Sequence, residues 1–297
     1  MKYALAELKR LNKPISAYYI SKLTGMSRNT AIKYLKHENL SKYYVASWSG
    51  GKDSTYMINE LLKKGDQLDE IIFADTGYEF PQMYIYIEKM ENYWRNRYPG
   101  IKITRLNWKK GKDIWHKWSN SKWTRGENKG RVRGFPFSLG MDWCTRELKI
   151  LPQERYINSL GYGLVYNYIG IAHDEPKRVR TTGELYPLVE WKITEREVAE
   201  SLLKNGLHNP LYNHFGRTGC YLCPKQSVKA LYRLWKHYPN LWSNIEAMQK
   251  KYKALGSSNW KIGYKSTDEH IKQFLEFDLK GEPTNYLDQN PIGCFCK

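Results

Sequence analysis

The 297-residue sequence predicts an α/β fold: a doubly wound parallel sheet, with a small helical unit before it and a helical region after it. Two observations support this class. Short apolar runs at residues 43–48 and 70–75 alternate with helical apolar spacing at residues 53–64 and 81–98, as in parallel strands joined by right-handed crossovers. In addition, 41% hydrophobic and 26% charged residues are the balance of a globular domain with a substantial core.

The first predicted region covers residues 1–40. Residues 15–23 and 27–35 have the pattern of two short helices around a glycine-containing turn, with Ser27 as the N-cap of the second helix. This arrangement resembles a helix-turn-helix, and it makes Arg28, Asn29 and Lys33 candidate nucleic-acid contacts. The alternative is an ordinary helical hairpin that packs against the main domain.

The second and third predicted regions cover residues 41–200, which contain the sheet, and residues 201–297, which are helical. Further strands are predicted at residues 101–106 and 164–170. Residues 111–140 are polar, basic and punctuated by glycine, which predicts a long surface excursion. A capping box formed by Thr194 and Glu197 predicts the start of a helix that reaches residue 203. Residues 231–253 are predicted to be helical, with a break at Pro239.

The charge balance is strongly basic, because 48 Lys and Arg against 30 Asp and Glu give a formal charge of +18. A polyanionic partner is one interpretation, since clustered cations gain affinity by displacing counterions from phosphates. Many of the 24 Tyr and 11 Trp residues lie beside cations, which suits base stacking. The alternative is a surface that only keeps the protein soluble or serves a small anionic nucleotide.

The hydropathy pattern excludes membrane functions. No apolar run approaches the length that spans a bilayer, and the first ten residues carry charges where a signal peptide has an apolar core. We therefore predict a cytoplasmic protein with no membrane partner. Five cysteines in a cytoplasmic chain argue against a disulfide framework.

A glycine-rich loop lies between the first predicted strand and the helix that follows it. Its glycines allow backbone N–H groups to approach phosphate oxygens, the helix N-terminus adds positive potential, and serine hydroxyls and a lysine complete an anion site. The spacing is not that of a Walker A loop, and the alternative is a tight turn with no ligand. The candidate nucleotide-binding residues are Ser47, Ser49, Gly50, Gly51, Lys52, Asp53 and Ser54.

This loop resembles the PP-loop of the ATP pyrophosphatase superfamily, in the order Ser-Trp-Ser-Gly-Gly-Lys-Asp-Ser at residues 47–54. Later segments are similar to those of the phosphoadenosine phosphosulfate (PAPS) reductase family, in the expected order: residues 73–81, 144–152, 170–178, 186–191 and 209–212. The resemblance implies an adenine nucleotide α-hydrolase-like fold. It also implies an enzyme that binds PAPS, APS or ATP for sulfur chemistry, with Lys52 and Asp53 as candidate catalytic residues.

Four residues outside the loop are further nucleotide-binding candidates. Arg178 and Arg180 can clamp a sulfate or phosphate end, because guanidinium groups bind such anions in a bidentate manner. Asp75 follows the second strand and can bond the sugar or the base edge, and Gly170 belongs to one of the resembling segments. The alternatives are a salt bridge from Arg178 to Glu175 and a helix-capping role for Asp75.

Three cysteines are candidate metal ligands. Cys220 and Cys223 are separated by two residues and followed by proline, and together with Cys144 they could bind a [4Fe–4S] cluster or zinc. The fourth position could be taken by Cys294, Cys296, a histidine such as His173 or His214, or nothing. Unligated buried thiols are the alternative.

Cys294 and Cys296 near the end of the chain are candidate catalytic nucleophiles, because assimilatory reductases of the family carry a cysteine on a C-terminal tail. The Glu and His that flank the cysteine in that family motif are absent here. The paired cysteines of the cluster-bearing reductases are also absent, since Trp143 precedes Cys144.

Three functions are therefore predicted as alternatives. The first is reduction of a sulfonucleotide with a thioredoxin-like reductant. The second is ATP-dependent thiolation of tRNA or DNA, in which Mg²⁺ helps pyrophosphate to leave and a cluster-held or cysteine-held sulfur displaces AMP. The third is a DNA-binding protein that the nucleotide regulates.

Overall fold

The computed structural model describes residues 4, 7–8, 17–37, 42–136, 143–160, 164–180 and 184–282. A parallel four-stranded sheet in the order β3-β2-β1-β4 forms the centre of this part of the chain. The predicted doubly wound α/β class is confirmed. The strands are β1 Lys42–Trp48, β2 Glu70–Ala74, β3 Lys102–Leu106 and β4 Leu164–Ile169.

Helices cover the sheet and continue beyond it into the C-terminal region. A π-helical turn, Thr145–Ile150, leads into the sixth helix, and short 3₁₀ turns lie at Pro176–Arg178 and Pro210–Asn213. In chain order the helices are α1 Ala17–Thr24, α2 Arg28–His37, α3 Lys52–Lys64, α4 Pro81–Arg97, α5 Gly111–Ser119, α6 Leu151–Ser159, α7 Pro187–Glu190, α8 Glu195–Lys204, α9 Val228–His237, α10 Pro239–Ala254 and α11 Thr267–Lys280.

Strand β1 and helix α3 form the unit that carries the glycine loop. The last four residues of β1 are buried because the strand is paired on both edges, with Ser47 opposite Ile72 and Ile169. Helix α3 buries an apolar face that includes Met57 and Leu61. It ends at Gly65, whose left-handed backbone lets its N–H bond the last carbonyls of the helix.

The N-terminal helices α1 and α2 pack together around Ile20, Ala31 and Leu35, and their small apolar cluster includes Leu164 at the start of β4. Ser27 caps α2 as predicted, because its Oγ accepts the N–H of Thr30 at 3.1 Å. The structure thus confirms two short helices around a turn. Binding of nucleic acid by this unit stays a prediction.

The predicted surface excursion at residues 111–140 is only partly right for its described part, residues 111–136: most of residues 120–131 are exposed and outside helices and strands, but the flanking residues are not. Residues 111–119 form α5, and Trp115 and Phe135 are fully buried in the main core. The indole N–H of Trp115 donates to the hydroxyl of Tyr252 at 3.3 Å. The misleading signal was the density of charge, which occupies the solvent side of a segment that two large aromatic side chains hold against the C-terminal helices.

The C-terminal helices follow the sequence prediction closely. Thr194 and Glu197 form both hydrogen bonds of the capping box at the start of α8. The break at Pro239 separates α9 from α10. The main core is continuous from Trp48 through Trp242 to Phe274. None of the helices among the described residues is long and apolar enough to cross a membrane.

Candidate functional site

The glycine loop forms a closed turn at the carboxyl end of β1. The hydroxyl groups of Ser49 and Ser54 lie 3.0 Å apart, and the N–H of Ser49 donates to Ser54 Oγ at 3.2 Å. Gly50 has a φ of +73°, which favours glycine, and a side chain there would collide with the sulfur of Met83. The loop therefore directs its backbone toward the N-terminus of α3, where amide hydrogens have no helical partner.

Residues from the C-terminal region fix the loop from outside. The N–H of Lys52 donates to the hydroxyl of Tyr212 at 2.9 Å, and the side-chain amide of Asn209 donates to the carbonyl of Gly50 at 3.0 Å. Both residues belong to the resembling segment at residues 209–212, for which no contact with the loop was predicted. Gly170, at the end of β4, packs directly against the backbone of Ser54.

Three carboxylates converge beside the loop. One oxygen each from Asp53, Glu175 and Glu195 lies within 4.8 Å of the others. The ammonium of Lys52 lies 3.0 Å from Asp53 Oδ1 and also contacts Glu195. Arg178 pairs with Glu175, so the salt bridge that sequence analysis kept as an alternative is present.

Burial dominates the electrostatics of this carboxylate trio. Desolvation raises the pKa of Asp53, although the charge of Lys52 opposes it. Desolvation likewise raises the pKa of Glu175, opposed by Arg178. For Lys52 burial favours the neutral amine, but the carboxylates of Asp53 and Glu195 outweigh it and raise the pKa. Extra positive charge would therefore stabilise the carboxylate trio.

The buried side chain of Asp75 is hydrogen-bonded to neighbouring residues of the protein. Its Oδ1 accepts the N–H of Gly77 at 2.8 Å and the hydroxyl of Tyr84 at 2.9 Å, and the side chain is buried. The neighbouring Thr76, not Asp75, faces the cavity described next. The predicted helix-capping role of Asp75 is wrong, because the next helix begins at Pro81 with Phe80 as its N-cap and no side-chain cap bond; Asp75 instead closes the turn at Gly77 and binds Tyr84.

A cavity of about 660 Å³ brings the candidate residues together. Its volume is within the range of small-molecule sites. It lies at the carboxyl ends of β1 and β4, where the strand order reverses, and open α/β sheets bind ligands at such switch points. The sequence-predicted residues that line it are Ser47, Ser49, Gly51, Lys52, Asp53, Ser54, Gly170, Arg178, Arg180, Cys144, Cys220 and Cys223. Gly50 and Asp75 are not among the lining residues.

Cys144, Cys220 and Cys223 line this cavity, and none of the three forms a disulfide with another described residue. The backbone of Cys220 forms an isolated antiparallel β-bridge with Glu79. The N–H of Cys223 donates to the carbonyl of Cys220 at 3.1 Å. A hydrogen bond with Cys223, together with burial, raises the pKa of the Cys220 thiol well above its ordinary value. Cys220 and Cys223 therefore face each other across a tight turn.

Lys149 lies in the resembling segment at residues 144–152, but no role was predicted for it. It lines the cavity, and Glu79 and the three cysteines raise its pKa although burial opposes this. The π-helical turn explains the arrangement, because i to i+5 geometry brings Lys149 near Cys144. An α-helical period would have put the two residues on different faces. Arg217 and Lys225 also line the cavity, and no sequence pattern singled them out.

Several predicted residues lie elsewhere. Cys294 and Cys296 fall outside the described residues. His173 and His214 are not among the described residues that line the cavity, and a metal-binding role for either stays a prediction. Arg28, Asn29 and Lys33 are exposed on α2, and the guanidinium of Arg28 lies 5.1 Å from the ring centre of Tyr18.

A family comparison agrees with this arrangement. The model of the phosphoadenosine phosphosulfate reductase domain matches residues 43–226, which include the loop, the carboxylate trio and the three cysteines. The chain belongs to this family. The PAPS reductase domain is a PP-loop nucleotide-binding domain of the adenine nucleotide α-hydrolase-like superfamily, and the predicted resemblance is confirmed.

Relatives of this PAPS reductase family member occur in an archaeon and in a phage. Protein MJ0066 of Methanocaldococcus jannaschii is 24% identical over 256 residues, which cover 82% of this chain and 48% of the relative. Protein MJ0973 of the same organism is 26% identical over 250 residues, or 78% of this chain and 54% of the relative. The nin region protein ORF290 of Escherichia phage lambda is 23% identical over 263 residues, which cover 83% of this chain and 86% of the relative. The chain thus spans about half the length of the two archaeal relatives.

Proposed function

We propose that this PAPS reductase family member catalyses an ATP-dependent sulfur transfer. The observation that carries the proposal is that the PP-loop, a carboxylate trio and three cysteines line one cavity. The PP-loop and the carboxylate trio suit a nucleoside triphosphate with its divalent cation, and the three cysteines suit sulfur chemistry. Placing them together would let activation and sulfur delivery occur on one acceptor.

The phosphates would bind at the loop. Backbone N–H groups at the start of α3 and the hydroxyls of Ser49 and Ser54 supply donors, and the helix dipole adds positive potential. Arg178 and Arg180 line the same cavity and can neutralise the triphosphate. These groups would stabilise the negative charge that develops on the pyrophosphate as it leaves.

Mg²⁺ fits the carboxylate trio, because it is a hard cation that prefers oxygen ligands and is usually bound through one or two carboxylates and substrate phosphates. Asp53, Glu175 and Glu195 offer three such oxygens within 4.8 Å of one another. Lys52 now contacts two of these carboxylates. A divalent cation would replace it there and leave its ammonium for the phosphates.

The three cysteines of the cavity, Cys144, Cys220 and Cys223, can serve a [4Fe–4S] cluster or a zinc ion. Zinc–sulfur bonds of about 2.3 Å in a tetrahedron require sulfur atoms about 3.8 Å apart. The thiols of Cys220 and Cys223 hydrogen-bond to each other, so these two sulfurs are close enough to contact one ion. Cys144, Cys220 and Cys223 would hold a [4Fe–4S] cluster, which can supply an iron that binds the transferable sulfur.

The overall reaction balances without a redox step when the sulfur is hydrosulfide. A carbonyl-type oxygen of the acceptor attacks the α-phosphorus of ATP, the bond to the β-phosphate oxygen breaks, and pyrophosphate leaves. Sulfur then attacks the activated carbon, and the carbon–oxygen bond breaks. AMP departs with the acceptor's oxygen and the thiolated acceptor remains.

Nucleotide binding tests the proposal. We expect that protein purified without oxygen binds ATP more tightly with MgCl₂ than without it, and that Glu175→Gln removes most of this difference. Glu200→Gln is the matched control, because Glu200 is an exposed residue of α8. Sulfide-dependent release of pyrophosphate and AMP in the presence of bulk tRNA or DNA would then be measured. If the parent protein binds ATP with the same affinity with and without MgCl₂, the metal-dependent mechanism is refuted.

Sulfonucleotide reduction is the second candidate, because five cations besides Lys52 line the cavity and can hold a phosphosulfate: Lys149, Arg178, Arg180, Arg217 and Lys225. In that reaction a cysteine thiolate attacks the sulfate sulfur, the adenosine phosphate leaves, and a thioredoxin-like dithiol releases sulfite and becomes a disulfide. Tighter binding of PAPS than of ATP, with sulfite release upon addition of a dithiol, would favour this reaction over sulfur transfer.

A further inference from the structure

Two segments outside the cavity form one continuous surface, residues 118–133 and 253–261, which we call the basic–aromatic surface. The N–H of Ser258 donates to the carbonyl of Val132 at 3.1 Å, and the indole N–H of Trp123 donates to Ser258 Oγ at 2.9 Å. The N–H of Phe135 donates to the carbonyl of Asn259 at 2.8 Å. The two segments are therefore held in a fixed relative position.

Charge on this surface is predominantly of one sign. The two segments carry seven Lys and Arg residues and one carboxylate, Glu127. Four of the cations of the first segment are exposed: Lys122, Arg125, Lys129 and Arg131. Such a dense group of cations costs self-repulsion in the folded protein, and a polyanion would relieve that repulsion.

Three indole rings are interleaved with these cations. The guanidinium of Arg133 lies 5.4 Å from the ring centre of Trp118 and 4.2 Å from that of Trp123. Its Nε donates to Ser121 Oγ at 2.9 Å, which fixes the group between the two rings. In the second segment Lys253 and Lys261 lie 5.0 and 5.2 Å from the ring centre of Trp260. Each half-buried ring thus has a cation beside it.

The basic–aromatic surface begins next to the cavity. Trp115 lines the cavity, and Trp118 follows it by three residues on α5. Residues three apart on a helix are neighbours on one side, about 4.5 Å apart along the axis. A polymer bound to the surface would therefore pass close to the cavity mouth at α5.

We infer that the basic–aromatic surface binds a single-stranded segment of nucleic acid, whose phosphates contact the cations and whose bases stack on the indoles. Stacking requires unpaired bases, which a duplex does not offer, and neither an acidic peptide nor a lipid headgroup presents a series of flat rings. The inference deepens the proposed function and rests on it in one respect: it identifies the sulfur acceptor as a nucleobase.

Oligonucleotide binding by the full-length protein tests the inference independently of catalysis. The probes are fluorescein-labelled 20-mers of mixed sequence, as single-stranded RNA, single-stranded DNA and duplex DNA, with polyglutamate as an acidic competitor. One variant removes three exposed cations of the surface: Lys122→Gln, Arg125→Gln and Lys129→Gln. The charge-matched control removes three exposed lysines of other helices: Lys204→Gln, Lys272→Gln and Lys280→Gln.

We expect the surface variant to bind single strands at least about 10-fold more weakly near 0.1 M salt, with a salt slope smaller by about 0.7 for each phosphate that is no longer neutralised. The control should stay within about twofold of the parent protein. Trp123→Leu should weaken binding about fivefold or more while Trp123→Phe retains stacking, and both variants remove the hydrogen bond to Ser258 equally.

The relative strength of the probes decides the outcome. Preference for RNA or for DNA identifies the acceptor polymer, and either supports the inference. Equal weakening of the surface variant and the control, tighter binding of duplex than of single strands, or efficient competition by polyglutamate would overturn it. Because Mg²⁺-dependent ATP binding is measured separately, failure of the surface leaves the proposed sulfur transfer standing, and the converse also holds.

Discussion

Substitution of Gly170 by alanine is expected to disturb the nucleotide site through the backbone of the loop. A methyl group on Gly170 would lie 2.6 Å from both N and Cα of Ser54, whereas ordinary contacts begin at 3.4 Å. The end of β4 and the start of α3 must therefore separate by about 0.8 Å, and no side chain can rotate to avoid this. Overpacking of this kind costs about 1–3 kcal/mol of folding free energy.

The same displacement acts on ligand binding, because the N–H groups of the loop move relative to Arg178 and the rest of the cavity. Misplacement of about 1 Å costs up to about 100-fold in rate for oriented sites. We therefore expect Gly170→Ala to weaken ATP binding at least about 10-fold by isothermal titration calorimetry and to lower the urea midpoint. Gly219→Ala is the control, since Gly219 lines the same cavity and a methyl group there meets nothing within 4 Å. Equal effects of the two substitutions would refute the steric argument.

Three further predictions concern other parts of the site and the helical unit. Glu195→Gln should lower Mg²⁺ affinity at least about 10-fold in a titration, because one of three oxygen ligands loses its charge. Burial raises the pKa of the carboxyls of Asp53 and Glu175, so protons compete with the cation on acidification. Mg²⁺ affinity should then begin to fall at a pH above the usual carboxyl range of about 4, and a flat profile down to about pH 5 would contradict this. Combined Arg28→Ala and Lys33→Ala should abolish duplex DNA binding by the helical unit if α2 is a recognition helix, and unchanged gel-shift binding would dismiss that role.

The sequence could predict those parts of the site that depend on short-range order. The loop at residues 49–54 is a contiguous pattern between a strand and a helix, so its place at the carboxyl end of β1 follows from local periodicity. The capping box at Thr194 and the break at Pro239 are likewise local, and the structure has both. The parallel direction of the strands follows from the strand–helix alternation, whereas the pairing of β1 with β4 was not predicted.

Pairings between distant residues could not be predicted. Glu195 reaches Lys52 across 143 positions of sequence, and no periodicity identifies that pair. Trp115 and Phe135 appear in a charged segment, and only their packing against Tyr252 and its neighbours shows that they belong to the core. Lys149 required knowledge of a π-helical turn, which sequence patterns do not reveal.

The two candidate ligand sets in the cavity differ in chemical softness, and in the proposed sulfur transfer this difference would give each set a separate step. Carboxylates bind hard cations such as Mg²⁺, whereas thiolates bind iron–sulfur clusters and other soft centres. The carboxylates belong to the PP-loop and to segments after β4, while Cys220 and Cys223 lie on a turn held to Glu79 after β2. Exchange of metal ions between the sets is therefore disfavoured by ligand type. In the proposed sulfur transfer, an acceptor activated at the PP-loop would have to meet the transferable sulfur within this cavity, because both ligand sets line it.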